Sequence, residues 1–348
     1  MSRRDVASIG AVALLTALTL SPVSLGGQAA SSSPSGEASA AFKRNAAKKP
    51  WTLPRTSWGD PDLQGIWNNG TITPLERPTA AGQKDILSEE ETSALNDEAA
   101  TRAQSDRRPA DKVADLELAY NAEWWDRGKS IGRTSLIIDP EDGRLPPLTP
   151  DGKKKRDALM AIKKSRGPAD SWEDRPYQEL CVLYHGVPPL PTGYNNNYHI
   201  VQAPGMVAIL HEMLHEVRMI PLDGRPHVGE NIRLWMGDSR GHWEGDTLVV
   251  ETTNYSSRID TFKFPADSAT LRIFERFKRV AEDKIDYRWT VDNPTMYTRQ
   301  WTAVLPMTKD EGPIYEYACH EGNYGIRNVL SGYRAQEQAA EAAKKTQK

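Results

Sequence analysis

The feature that most constrains this chain is a series of short segments in its second half that alternate apolar and polar residues, with turns between them. Segments 232–236, 247–253, 271–280, 285–291, 299–305 and 313–320 follow a period of two, as do the earlier segments 134–138 and 198–202. Glu282-Asp283 and Asp292-Asn293-Pro294 supply turn chemistry between late segments. No interval there is long enough for a helix to carry a parallel crossover, so consecutive strands are expected to be antiparallel neighbours. A sheet of that many strands curls and closes to remove its edges. The expected fold is therefore mainly β: an antiparallel, lipocalin-like (calycin-type) barrel with peripheral helices, a single domain over residues 56–335.

Helical signals lie around this pattern. Ser88-Glu89-Glu90-Glu91 reads as a capping box opening a polar helix to about Arg108. Thr149-Pro150 opens a second, with proline at the first helical position. The end of the chain from residue 331, rich in Ala, Gln, Glu and Lys, reads as a helix that frays, and residues 336–348 form a helical or disordered tail.

The first residues read as an address. A basic start at Arg3-Arg4 precedes an apolar run, Pro22, Gly26-Gly27 and Ala29, the layout of a secretory signal over residues 1–29. Arg3-Arg4 also resembles a twin-arginine signal, although Asp5-Val6-Ala7 departs from that pattern. Residues 30–55 read as a flexible linker. A periplasmic or secreted protein is expected, with no integral span once the signal is removed. Loss of residues 1–29 leaves a net charge of about −4, which gives no general grip on nucleic acid. Two cysteines cannot build a cysteine-rich zinc site. In an oxidising compartment a Cys181–Cys319 disulfide is favoured over a nucleophilic thiol at Cys319. With 10 Trp and 12 Tyr against 5 Phe, the aromatic content favours rings with a polar handle, suited to β-structure and wet cavities.

Four clusters carry possible chemistry. His211-Glu212-Met213-Leu214-His215 matches H-E-x-x-H, which on a helix places two His on one face for zinc, with Glu as general base. Pro221 stands where a third histidine ligand would fall, and 207–210 and 217–220 also read as strands. The second cluster, 220–227, contains the turn pair Asp223-Gly224. Arg225 and His227 there either grip a substrate oxygen or, for Arg225, pair with Asp223. The third, 237–246, is glycine-punctuated and holds Trp243. In the fourth, Tyr315 to Tyr324, a strand places Glu316, Ala318 and His320 on one face and Tyr315, Tyr317 and Cys319 on the other.

Together, the segments 59–67, 195–202, 220–227, 237–250 and 315–323 resemble a family of exported bacterial proteins that has no settled activity. The likeness runs from about residue 58 to 335. It implies that Cys181, Glu212, His215, Arg218 and Cys319 follow the family pattern, whereas His211 does not, which would make the H-E-x-x-H match fortuitous. Gly65-Ile66-Trp67 also resembles the G-x-W start of lipocalin-type barrels.

The function expected is cofactor-independent acid–base chemistry, of lyase, hydratase, isomerase or cyclase type, on a small, partly apolar or sugar-like substrate. His215 serves as base, and His320 as acid beside Glu321. Arg218 stabilises negative charge, and Trp243 and Tyr317, with Arg225 and His227, bind the substrate. A non-catalytic small-molecule-binding calycin is the first alternative. A zinc hydrolase using His211 and His215 is the second.

Overall fold

A computed structural model describes residues 51–102, 125–182, 184, 186–258 and 264–346, the side chain of His215 excepted. The signal at 1–29, most of the linker and the helix continuation at 103–108 lie outside the described residues. Eleven strands form one sheet in which every pairing of strands is antiparallel. They are β1 (Gly65–Asn68), β2 (Ile137–Asp139), β3 (Asn197–Ala203), β4 (Met206–His211), β5 (Val217–Pro221) and β6 (Asp238–Glu244), followed by β7 (Thr247–Thr253), β8 (Arg272–Ala281), β9 (Lys284–Asp292), β10 (Trp301–Val304) and β11 (Met307–Asp310). The hydrogen-bonded order is β5-β4-β3-β1-β11-β9-β8-β7-β6, with β10 bridging β9 and β2. The order ends at β5 and β6, which pack against each other through side chains: a Cβ on Gly241 of β6 would lie 2.9 Å from Ile220 of β5.

Alternation dictates the faces. On β8, Ile273, Glu275, Phe277 and Arg279 are buried while Arg272, Arg276 and Lys278 face water, and on β9 the buried set is Ile285, Tyr287, Trp289 and Val291. The interior is filled by one apolar cluster that includes Trp67, Tyr198, Phe277, Tyr287, Trp289 and Trp301. Tyr287 and Trp289 stack at 5.6 Å, and Phe264 meets Trp301 edge-on at 5.0 Å. The 59–67 motif ties the entry of β1 to β3 and β8. Trp67 Nε1 donates to the Leu63 carbonyl (2.8 Å), Gln202 Oε1 accepts from Leu63 N (2.7 Å), and the Arg279 guanidinium lies over the Trp67 ring (5.3 Å).

Among the described residues, three α-helices lie outside the sheet: α1 (Glu89–Arg102), α2 (Pro150–Ser165) and α3 (Gly325–Thr346). The Ser88 capping box forms, with Glu91 N donating to Ser88 Oγ and Ser88 N to Glu91 Oε2. Thr149 caps α2 by accepting from Gly152 N at 2.9 Å. Among the described residues, no helix is long and apolar enough to cross a membrane.

Two expected strands are corrected. Residues 232–236 form a loop, because Asn254, in the left-handed region (φ 57°), donates from Nδ2 to the carbonyls of Val228, Gly229 and Ile232 and so organises it. Residues 313–320 leave the sheet. The preceding strand, β11, already fills the place between β1 and β9, and Gly312 N bonding Asp310 Oδ1 (2.8 Å) turns the chain away. A disulfide joins Cys319 of that segment to Cys181, with Cα atoms 5.8 Å apart.

Candidate functional site

The β4–β5 turn lies at the end of the sheet opposite residues 59–64, since β4 pairs with β3 from Ala203, near the Leu63–Gln202 bond, to Tyr198 opposite His211. His211 N donates to the Glu216 carbonyl (3.0 Å), and Met213–His215 is a single 3-10 turn. Within it Leu214 sits in the left-handed region (φ 62°, ψ 14°), a conformation costly for a bulky side chain and concentrated at working sites. H-E-x-x-H is thus not on a helix. The strand alternation of 207–210 and 217–221 prevails, and the shared face for two His at i and i+4 does not form. His211 is buried with its ring edge-on to Tyr198, 4.9 Å between centroids. The side chain of His215 lies outside the described residues.

Glu212 is the unusual group of this turn. It is nearly buried, and its Oε2 accepts from Asn197 N at 3.2 Å while its own N–H donates to the Asn197 carbonyl at 3.0 Å. Asn197 Oδ1 accepts from Asn68 Nδ2 (2.9 Å), which also reaches Asp126 Oδ2 (2.8 Å). Burial pushes the Glu212 carboxyl above the usual carboxylate range. Its bonds to Asn197 oppose this, and the negative charges of Asp126 and Asp310 add to it. Burial likewise raises Glu216, four residues on. Two carboxyls raised by burial therefore flank one strained turn, the direction of shift that suits a side chain carrying a transferable proton.

The other expected site residues are dispersed. Arg218 faces the interior, fully committed: Nε donates to Ser239 Oγ (2.9 Å), Nη2 to Thr252 Oγ1 (2.8 Å), and the guanidinium pairs with Glu275. Burial alone would lower its pKa, but the Glu275 charge outweighs this and holds it protonated. Glu275 Oε1 also accepts from Tyr287 Oη at 2.9 Å. His227 Nδ1 lies 2.7 Å from Asp238 Oδ2, with Nε2 3.9 Å from Glu251. Arg225 pairs with Asp223 across the Gly224 turn. Trp243 is half-buried on β6 and packs against the core. His320 and Glu321 are exposed and Tyr317 half-buried, all on the irregular segment linked through Cys319 to Cys181.

Glu275, Asp238 and the Asn68–Asn197–Asp126 support are not among the residues that the motifs single out. A signal existed for Glu275, a carboxylate in phase with the inward residues Ile273 and Phe277. Asn68 and Asn197 become neighbours only through the β1–β3 register. No family model matches the chain, and no curated protein or solved structure is significantly similar to it.

Proposed function

We propose that this is an exported enzyme that moves protons on a small, partly apolar molecule without a cofactor, by lyase-, hydratase- or isomerase-type chemistry. Glu212 is the proton-carrying group, with His211 next to it and His215 three residues on along the chain. We read the curled sheet as a calycin-like barrel whose interior is packed and whose working end is the β4–β5 turn. The reading rests on one observation: a nearly buried carboxyl, its pKa raised by desolvation, beside a residue held in the left-handed region. An intramolecular disulfide is compatible with an exported protein. Arg218 serves here as a fixed internal cation that aligns β5, and so the turn before it, against β6, β7 and β8.

The test is conversion of small molecules extracted from the exporting cell, followed by mass spectrometry. Gain or loss of water, or an isobaric product, in the presence of wild-type protein and absent with Glu212→Gln supports the proposal. Retention of an unchanged molecule by both proteins would favour the carrier alternative. Activity that tracks added zinc and survives Glu212→Gln would sink the assignment.

A further inference from the structure

A cleft of about 540 Å3 opens between α1, residues 71–72 just after β1, and the 191–193 loop, a size suited to a small ligand. Its geometry is built around Trp125. A Cβ at Gly193 would lie 2.5 Å from the indole, so only glycine lets the ring rest on that backbone. Tyr194 meets the same ring edge-on at 6.1 Å. The segment is pinned where Asp126 N donates to the Gly193 carbonyl (2.8 Å) and Asn196 Nδ2 to the Asp126 carbonyl (2.7 Å).

On this fixed ring lies a cation. The Arg127 guanidinium sits 4.3 Å from the Trp125 centroid, and among the described residues no carboxylate pairs with it. The other cleft arginine, Arg102, is taken by Glu98 one helical turn away. The facing wall is apolar, from Ile72, Leu95 and Pro191, and Leu95 is 40% exposed. The two threonine hydroxyls of the lining spend their protons on backbone: Thr71 Oγ1 on the Lys129 carbonyl (2.6 Å) and Thr192 Oγ1 on the Tyr194 carbonyl (2.9 Å). The Arg127 guanidinium thus stands as an oriented fork for an anion beside an apolar wall.

We propose that this cleft binds a small organic carboxylate. The Arg127 guanidinium grips the carboxylate, and the apolar body lies against Leu95, Ile72 and Pro191. An arginine stacked on an indole is already oriented, so little freedom is lost when it forms two parallel bonds to a carboxylate. The proposal does not depend on the chemistry proposed for Glu212, whose surroundings share Asp126 with this segment.

The probes are phenylacetate and its uncharged analogue 2-phenylethanol, titrated into the full mature chain by calorimetry. Phenylacetate is expected to bind roughly tenfold tighter than the alcohol, the margin of a charge-assisted contact. Arg127→Gln, an exposed substitution that leaves the core untouched, is expected to erase that margin. Gly193→Ala, which displaces the Trp125 ring, is expected to weaken both probes. Equal binding of the two probes, no binding of phenylacetate, or an unchanged margin in Arg127→Gln would overturn the proposal.

Discussion

Arg218 on β5 and Glu275 on β8 form an ion pair at 3% and 0% side-chain exposure, inside the sheet and beside the β5–β6 seam. The pair, with Ser239 on β6 and Thr252 on β7, reaches from one end strand across the three strands nearest the other end. Removing one partner leaves a buried charge. Arg218→Met is therefore expected to cost about 3–5 kcal/mol in urea unfolding. Arg218→Met with Glu275→Leu is expected to recover part of that loss, because the Ser239 and Thr252 hydroxyls still bond each other at 3.0 Å while the buried Tyr287 hydroxyl loses its acceptor. Equal stability of the single and double variants would refute a role for the pair as a unit.

Glu212 links stability to pH. Its folded pKa lies above the ordinary value near 4.5, so the protonated form is favoured in the folded state. Its contribution to stability is fully present below that ordinary value and is lost as pH rises through the folded value. Glu212→Gln keeps the shape and an oxygen for Asn197 N. At neutral pH it is expected to melt higher than wild type, and the difference is expected to vanish below about pH 4. The same variant is expected to abolish turnover, the trade-off of a site kept at a cost to the fold. A variant that melts lower at neutral pH would contradict this.

The Cys181–Cys319 bridge closes a loop with a sequence separation of 138. On chain-entropy grounds, replacing both cysteines by serine is expected to cost about 5 kcal/mol. Residues 313–324 have no strand partner, so their amides are expected to exchange faster in that variant well below global unfolding. Hydrogen exchange read by mass spectrometry would show it, and uniform loosening of the sheet would argue otherwise.

Gly152 reverses a helix rule. Glycine to alanine in a helix interior normally gains about 1 kcal/mol. Here a new Cβ would fall 2.4 Å from the Met296 carbonyl oxygen, where α2 starts against the 293–297 turn. Gly152→Ala is expected to destabilise by about 1–3 kcal/mol through overpacking, and Thr149→Ala by about 1 kcal/mol through loss of the cap. Thermal melts of the two variants check both signs.

The alternation of 271–280 and 285–291, the Glu282-Asp283 turn, the Ser88 and Thr149 caps and the pairing of the two cysteines were legible in the chain. Each depends on neighbours in sequence or on a choice with one solution, as with two cysteines in an oxidising compartment. Other features needed tertiary structure. Whether 207–210 continues as a helix or a strand turned on pairing with β3 and β5, which no local signal encodes. Residues 313–320 alternate like a strand, but the place beside β1 and β9 was already taken. The raised pKa of Glu212 and the partner of Arg218 were decided the same way. Burial and long-range register bring Asn197, Asp126 and Asp310 near the first, and Glu275, 57 positions away, against the second.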